Sequence, residues 1–96
     1  MIRKAKVQDE PEIVNLVNHY AGLGKMLLHS KTQVYNGLRD YSVIEMNDRI
    51  IGCGALVVIW SDIAEIRSVT MAPEYTSQGW GRVLVNKLLK DARELE

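Results

Sequence analysis

The chain has 96 residues, enough for one hydrophobic core and too few for linked domains. Its 47% hydrophobic and 25% charged content suits a folding globular chain rather than a disordered one. Lys and Arg number 12 and Asp and Glu number 12, for a formal net charge of zero. Phosphate backbones and anionic lipid surfaces therefore gain no long-range attraction, which speaks against nucleic-acid and membrane partners.

The first run, IRKAKV at residues 2 to 7, alternates basic and apolar side chains and predicts a half-buried strand. Asp9 and Glu12 stand at capping-box spacing with Pro11 in the first turn, which predicts a helix start. Ile13, Leu16, Val17 and Tyr20 then share one helical face, and Gly22 and Gly24 are read as the stop. Ser30 with Gln33 makes a second capping box, opening a short helix through Val34, Tyr35 and Leu38.

From Tyr41 the pattern turns to strands. Tyr41, Val43, Ile44 and Met46 precede an Asn47-Asp48 hairpin turn and a second apolar run, Ile50 to Trp60. Gly52 and Gly54 within that run predict a bulge or a close backbone neighbour. Ser61-Asp62 is the next turn, Ile63 to Met71 a further strand, and Pro73 its end. Leu84, Leu88, Ala92 and Leu95 then mark one stripe of a final amphipathic helix. The order β-α-α-β-β-β-α predicts an α+β or mixed α/β fold with a mostly antiparallel sheet and flanking helices.

Cys53 is the one cysteine and lies in an apolar strand, so neither a disulfide framework nor a Cys-rich zinc site is available. No metal site is expected. No apolar segment follows Met1, and the run Ala55 to Trp60 is too short to span a bilayer, so a soluble, cytoplasmic protein is expected.

The chemistry concentrates in AEIRSVTMAPEYTSQGWGRVL, residues 64 to 84, where a strand passes through a loop into Gly79-Trp80-Gly81 and a helix. Glycines let a ligand approach the backbone, and the unpaired N–H groups of a first helical turn suit a phosphate or pyrophosphate. A bare G-x-G before a helix is also compatible with an ordinary tight turn. A dinucleotide-binding reading fails, because no third glycine follows at the required spacing and the preceding strands do not alternate with helices.

These residues carry a resemblance that covers essentially the whole chain. The element order and the segment Thr76-Ser77-Gln78-Gly79-Trp80-Gly81 resemble the GNAT superfamily of acetyl-CoA-dependent N-acetyltransferases, whose acetyl-CoA motif reads Q/R-x-x-G-x-G/A. Both glycines match, while Thr76 stands where the family has Gln or Arg. GKMLLHS (24 to 30), LRDYSVIE (38 to 45), IIGCGAL (50 to 56) and AEIRSV (64 to 69) are similar to the N-acetylglutamate-synthase-like branch.

The resemblance implies acetyl-CoA as cofactor and the amino group of a small molecule, such as the amino acid glutamate, as acceptor. It places the pantetheine arm along the backbone of Val69, Thr70 and Met71 and the pyrophosphate on the amides of Ser77, Gln78, Gly79, Trp80, Gly81 and Arg82. Glu65 falls at the general-base position of histone-acetylating members. A carboxylate on an apolar strand can have its pKa raised toward neutrality, which suits a base; the competing reading is a strand-end carboxylate paired with Arg67. Arg67 is read either as a fork for a substrate carboxylate or as a surface ion pair. His29 lies in a loop that in the similar branch helps to cover the acceptor, or is an ordinary loop histidine.

The family pattern continues after the motif helix with a strand, a helix and a final strand that often carry a tyrosine general acid. The 96 residues are therefore expected to form a single partial domain, residues 1 to 96, lacking that C-terminal strand-helix-strand. A homodimer through the open strand edge at Ile63 to Met71 is a further expectation. The alternative to an enzyme is a non-catalytic CoA-binding or interaction module with the same fold.

Overall fold

Each predicted element has a counterpart in the computed structural model, which describes residues 1–22 and 31–95. β1 is Ile2–Lys4, α1 Glu10–Gly22, α2 Lys31–Asn36, β2 Tyr41–Met46, β3 Arg49–Trp60, β4 Ile63–Met71 and α3 Trp80–Glu94. The strands form one sheet in the order β1-β2-β3-β4, every pair antiparallel. The fold class is the mixed α+β arrangement expected from the sequence.

Period-two strands give the sheet two apolar faces, and each is covered by helix. On one face α1 contributes Ile13, Leu16 and Val17 and α2 contributes Val34, packed with Tyr41, Val43, Cys53 and Ala55. On the other, Leu84 and Leu88 of α3 pack with Ile44, Ile51, Leu56 and Met71. Each such large side chain, removed from water, contributes about 1.5–3 kcal/mol before conformational entropy is subtracted.

The β3 glycines set how closely the layers approach. A Cβ at Gly54 would lie 3.1 Å from Leu88 Cδ1, 3.2 Å from Val69 Cγ2 and 3.3 Å from Leu84 Cδ2. α3 therefore docks against bare backbone there, which fixes where its N-terminus emerges beyond β4. Gly52 faces Met71 across the β3–β4 ladder, and its missing Cβ leaves room for the Met71 sulfur. The expected Asn47-Asp48 turn is present with both residues left-handed, at φ 53 and 61, the backbone that matches the twist of a two-residue hairpin.

Several boundaries differ from the sequence expectation. β1 stops at Lys4, and Val7–Asp9 forms a 3-10 turn with Val7 exposed. The Asp9–Glu12 capping box is not the device that starts α1. Asp9 is nearly fully buried and takes hydrogen bonds from Arg3 Nη1 and Nη2, at 2.7 and 3.1 Å, and from the Lys6 N–H at 2.7 Å. A buried guanidinium needs a carboxylate more than a helix end needs a cap.

Glu12 instead accepts the Ile50 N–H at 2.8 Å and so ties α1 to the start of β3. α2 ends at Asn36, ahead of Gly37, and Leu38 packs from a separate 3-10 turn, Leu38–Asp40. Leu95 is 65% exposed and lies off the buried α3 stripe. Ser30 and Gly24 lie outside the described residues. Among those described, no helix is long and apolar enough to cross a membrane.

Candidate functional site

β4 is the last strand of the sheet among the described residues, and one of its backbone edges has no strand partner there. Its C-terminal half is firmly held from the other side. Thr70 is buried, with its hydroxyl 3.1 Å from the Cys53 sulfur, and Met71 is buried against α3. Burial pushes the Cys53 thiol up to about 11, and its contact with Thr70 opposes this only in part, so Cys53 is a packing residue and a poor nucleophile.

The chain leaves β4 through the Ala72 N–H, which donates to Ile51 O at 2.7 Å, and turns at Pro73–Tyr75. The Thr76 hydroxyl donates back to Pro73 O at 3.0 Å and Gln78 Nε2 to Glu74 O at 3.1 Å. Both side chains brace the loop, which leaves the backbone as the surface a ligand would meet. Ser77 and Gly79 are left-handed, at φ 63 and 88, and deliver the chain into α3.

Val83 N–H to Gly79 O, at 3.2 Å, is the bond that opens the helix, so the amides of Trp80, Gly81 and Arg82 precede the intrahelical ladder. The space that a Cβ would fill at Gly79 or Gly81 is open, with nothing within 4 Å. The first turn holds no acidic side chain, Arg82 lies in it, and the 15-residue helix directs its positive end there. Trp80 packs partly into the core below. Backbone donors, open space and absent acid fit a bound anion of pyrophosphate size.

Beside β4, on the α1 and α2 side, lies a cleft of about 230 Å³ lined by residues that include Gln33, Asp40, Tyr41, Ala55, Val57, Arg67 and Ser68. A bulge makes this possible. Cys53 pairs with Thr70 and Ala55 with Arg67, so Ser68 and Val69 together oppose Gly54, and Ser68 takes the left-handed φ of 57. In a regular strand Arg67 and Ser68 would face opposite sides of the sheet; here both border the cleft. Burial raises the Tyr41 phenol above its ordinary range, opposed by a hydrogen bond from Ser68, which also lines the cleft.

Glu65 is not in a setting that raises its pKa. Its side chain is 48% exposed and is gripped by Arg67, with Nε to Oε1 at 2.7 Å and Nη2 to Oε2 at 3.3 Å. Those hydrogen bonds hold the carboxyl below its usual range. The structure thus forms the Glu65–Arg67 pair that was the competing reading of both residues. Glu65 stands next to the cleft without lining it.

Of the residues singled out from sequence, Val69, Thr70 and Met71 and the turn Ser77 to Arg82 are brought into one continuous strip, with Arg67 and Glu65 at its upstream end. His29 lies outside the described residues. Gln33, Asp40 and Tyr41 were missed. Their only signal was the polar Arg39-Asp40 pair ahead of a buried strand, and nothing local indicates that it faces β4.

The acetyltransferase (GNAT) family model matches residues 24–96. The amino-acid acetyltransferase of Mycobacterium tuberculosis is 40% identical over 100 residues, covering 100% of this chain and 56% of that protein. A crystal structure of a Mycobacterium tuberculosis protein in complex with CoA superposes with a TM-score of 0.93 at 39% identity, over 99% of this chain and 58% of that one. N-acetylglutamate synthase from Neisseria gonorrhoeae, complexed with coenzyme A and N-acetyl-glutamate, gives a TM-score of 0.95 at 27% identity, over 99% of this chain and 23% of that one. The chain spans about half the length of the Mycobacterium relative. The match along residues 24–96, on the strand-turn-helix geometry just described, shows that the chain belongs to the acetyltransferase (GNAT) family.

Proposed function

We propose that the chain carries the cofactor-holding part of an enzyme that moves an acetyl group from acetyl-CoA to the amino group of a free amino acid. The observation that carries this reading is the open, acid-free start of α3, reached directly from the edge of β4 that has no strand partner among the described residues, in a chain of this family. Acetyl-CoA supplies a thioester whose carbonyl carbon is open to attack by an amine. Transfer forms a C–N bond and breaks the C–S bond; the amine loses a proton and the departing thiol gains one.

The chain's own residues divide the work. Backbone groups of Val69, Thr70 and Met71 pair with the pantetheine amides as a strand would. The amides from Ser77 to Arg82 hold the pyrophosphate, with no lysine needed. Because Thr76 spends its hydroxyl on Pro73 O, pyrophosphate binding falls to the backbone rather than to the long side chain other members place there. Arg67 serves an acceptor carboxylate, and in doing so releases Glu65 to take the amine proton. The relative named amino-acid acetyltransferase supports the acceptor class. A second copy pairing along β4 when no cofactor occupies it, in competition with pantetheine, and a cytoplasmic location complete the reading, the first supported by the strand edge that has no partner among the described residues.

The test is thiol release from acetyl-CoA in the presence of single amino acids, with sedimentation at several concentrations for self-association. Amino-acid-dependent release supports the transferase. Binding of CoA with no release for any amino acid leaves the non-catalytic CoA-binding module instead.

A further inference from the structure

The cleft beside Ser68 holds two opposite charges brought from distant parts of the chain, Arg67 on β4 and Asp40 at the end of the 3-10 turn before β2. Its volume, about 230 Å³, is below the ~300–1,000 Å³ of sites that take drug-sized ligands, so it suits a molecule of metabolite size. Ala55 and Val57 give it an apolar wall, which strengthens any charge interaction inside. Ser68, which lines it, is followed directly by Val69, where the proposed pantetheine strip begins.

Asp40 is held in place by its backbone. Its N–H donates to Gly37 O at 2.9 Å, and β2 starts at the next residue. No side chain among the described residues hydrogen-bonds its carboxylate, although its field reaches Arg67. It also borders a second cleft with Lys4 and Arg39. Glu65 differs on each count that matters: it does not line the cleft, both its oxygens are engaged by Arg67, and it is half exposed to water.

We infer that Asp40 receives the ammonium group of an α-amino acid whose carboxylate is taken by Arg67, so that the cleft selects zwitterions over simple amines and simple acids. The inference rests on the acetyl-transfer reading and names a residue that determines acceptor specificity within it. Asp40 orients the nitrogen toward the Ser68 end of the cleft, while Arg67 exchanges its intramolecular partner Glu65 for the ligand. A simple amine forfeits the Arg67 contact, and a simple carboxylic acid meets the repulsion of Asp40.

The experiment uses the 15N-labelled chain with CoA added first. L-glutamate, L-lysine and L-leucine are then titrated singly, with glutarate and cadaverine as partners lacking the ammonium or the carboxylate. At least one amino acid is expected to shift the amides of Gly37, Tyr41, Val57 and Ser68. Asp40→Asn should weaken that amino acid about tenfold or more, the loss of one charge-assisted contact, and leave or improve glutarate binding. Asp40→Glu should recover part of the affinity.

Equal weakening of glutamate and glutarate would assign Asp40 a merely structural role and overturn the inference. So would an unchanged amino-acid affinity in Asp40→Asn, or no cleft shifts with any amino acid at tens of millimolar. The CoA shifts in the same spectra separate the two readings. Their absence from Ser77 to Arg82 removes the acetyl-transfer reading itself, whereas their presence with an indifferent Asp40→Asn removes this inference alone.

Discussion

The Arg3–Asp9 clamp offers a stringent stability test, because it closes the N-terminal strand onto the turn that launches α1. Asp9 accepts three hydrogen bonds and its side chain is 4% exposed, against 15% for Arg3. Asp9→Asn removes the charge from a nearly dry pair and leaves Arg3 with Glu45, 3.0 Å away. Breaking a fully buried pair costs about 3–5 kcal/mol. Arg3 keeps some water and its second carboxylate, so the cost here is set at about 2–3 kcal/mol, out of a total near 5–15 for a domain. In a domain of this size that lowers Tm by roughly 10–20 °C.

The pH dependence follows from the direction of the shift. Hydrogen bonds from Arg3 and Lys6 hold the Asp9 carboxyl below its ordinary value of 3.8 in the folded chain. Its contribution is therefore complete above the unfolded value and is lost as pH falls through the folded one. The gap between wild type and Asp9→Asn should be constant from pH 7 to pH 5 and shrink below pH 4. Urea unfolding followed by circular dichroism at each pH measures it. A variant within about 0.5 kcal/mol of wild type at neutral pH, or a gap that persists undiminished into acid, would refute the reasoning.

Three further outcomes are expected. Gly52→Ala places a Cβ 2.5 Å from Met71 Sδ and 3.2 Å from Thr70 O, and should destabilise the chain by about 1–3 kcal/mol in the same unfolding assay. Cys53 should resist iodoacetamide at pH 8 in the native chain and react in urea, since it is 0% exposed with its thiol raised to about 11; rapid native labelling would contradict the core assignment. In an active protein Glu65→Gln should cut turnover by about 10²–10⁴-fold at neutral pH, with partial recovery as alkali supplies free amine. Because Arg67 holds Glu65 low in the free protein, the acid limb of kcat/KM due to Glu65 should appear only below its ordinary value of 4.5, and an unaffected rate in Glu65→Gln would remove it as the base.

Elements set by local pattern were legible in the sequence. The period-two runs of β2 and β3, the Asn47-Asp48 turn and the Leu84 and Leu88 face of α3 all follow from neighbours a few residues apart. Long-range competition was not legible. Asp9 and Glu12 have ideal capping spacing, yet Arg3 and the Ile50 N–H claim them, because an unpaired guanidinium and an unpaired strand amide each cost more than a frayed helix end. Gly54 signalled a bulge and one lies opposite it, but the extra residue is on β4, where Ser68 has no glycine to mark it, and that bulge alone brings Ser68 to the same cleft as Arg67. Of the candidate site, the strip from Val69 to Arg82 could be read because its parts are contiguous, whereas Asp40 reaches β4 only through the folded sheet. For Glu65 the raised-pKa alternative fails and the pairing with Arg67 holds, since the i, i+2 spacing that puts Arg67 on the same face also gives it a counter-ion.

The central claim is that the α3 N-terminus and the β4 edge hold acetyl-CoA through backbone groups, and a CoA titration of the 15N-labelled chain and of Gly81→Val tests it most directly. Gly81 has no neighbour within 4 Å of a Cβ and lies in the first turn of α3, where valine is no worse a helix former than glycine. The motif admits alanine at this position, so one methyl group fits, whereas the two γ-methyls of valine reach into the space the pyrophosphate needs. The account predicts wild-type shifts at Val69 to Met71 and Ser77 to Arg82, and a Gly81→Val chain about as stable to heat while binding CoA more weakly. Shifts confined to other residues, none at millimolar CoA, or undiminished affinity in Gly81→Val would contradict it.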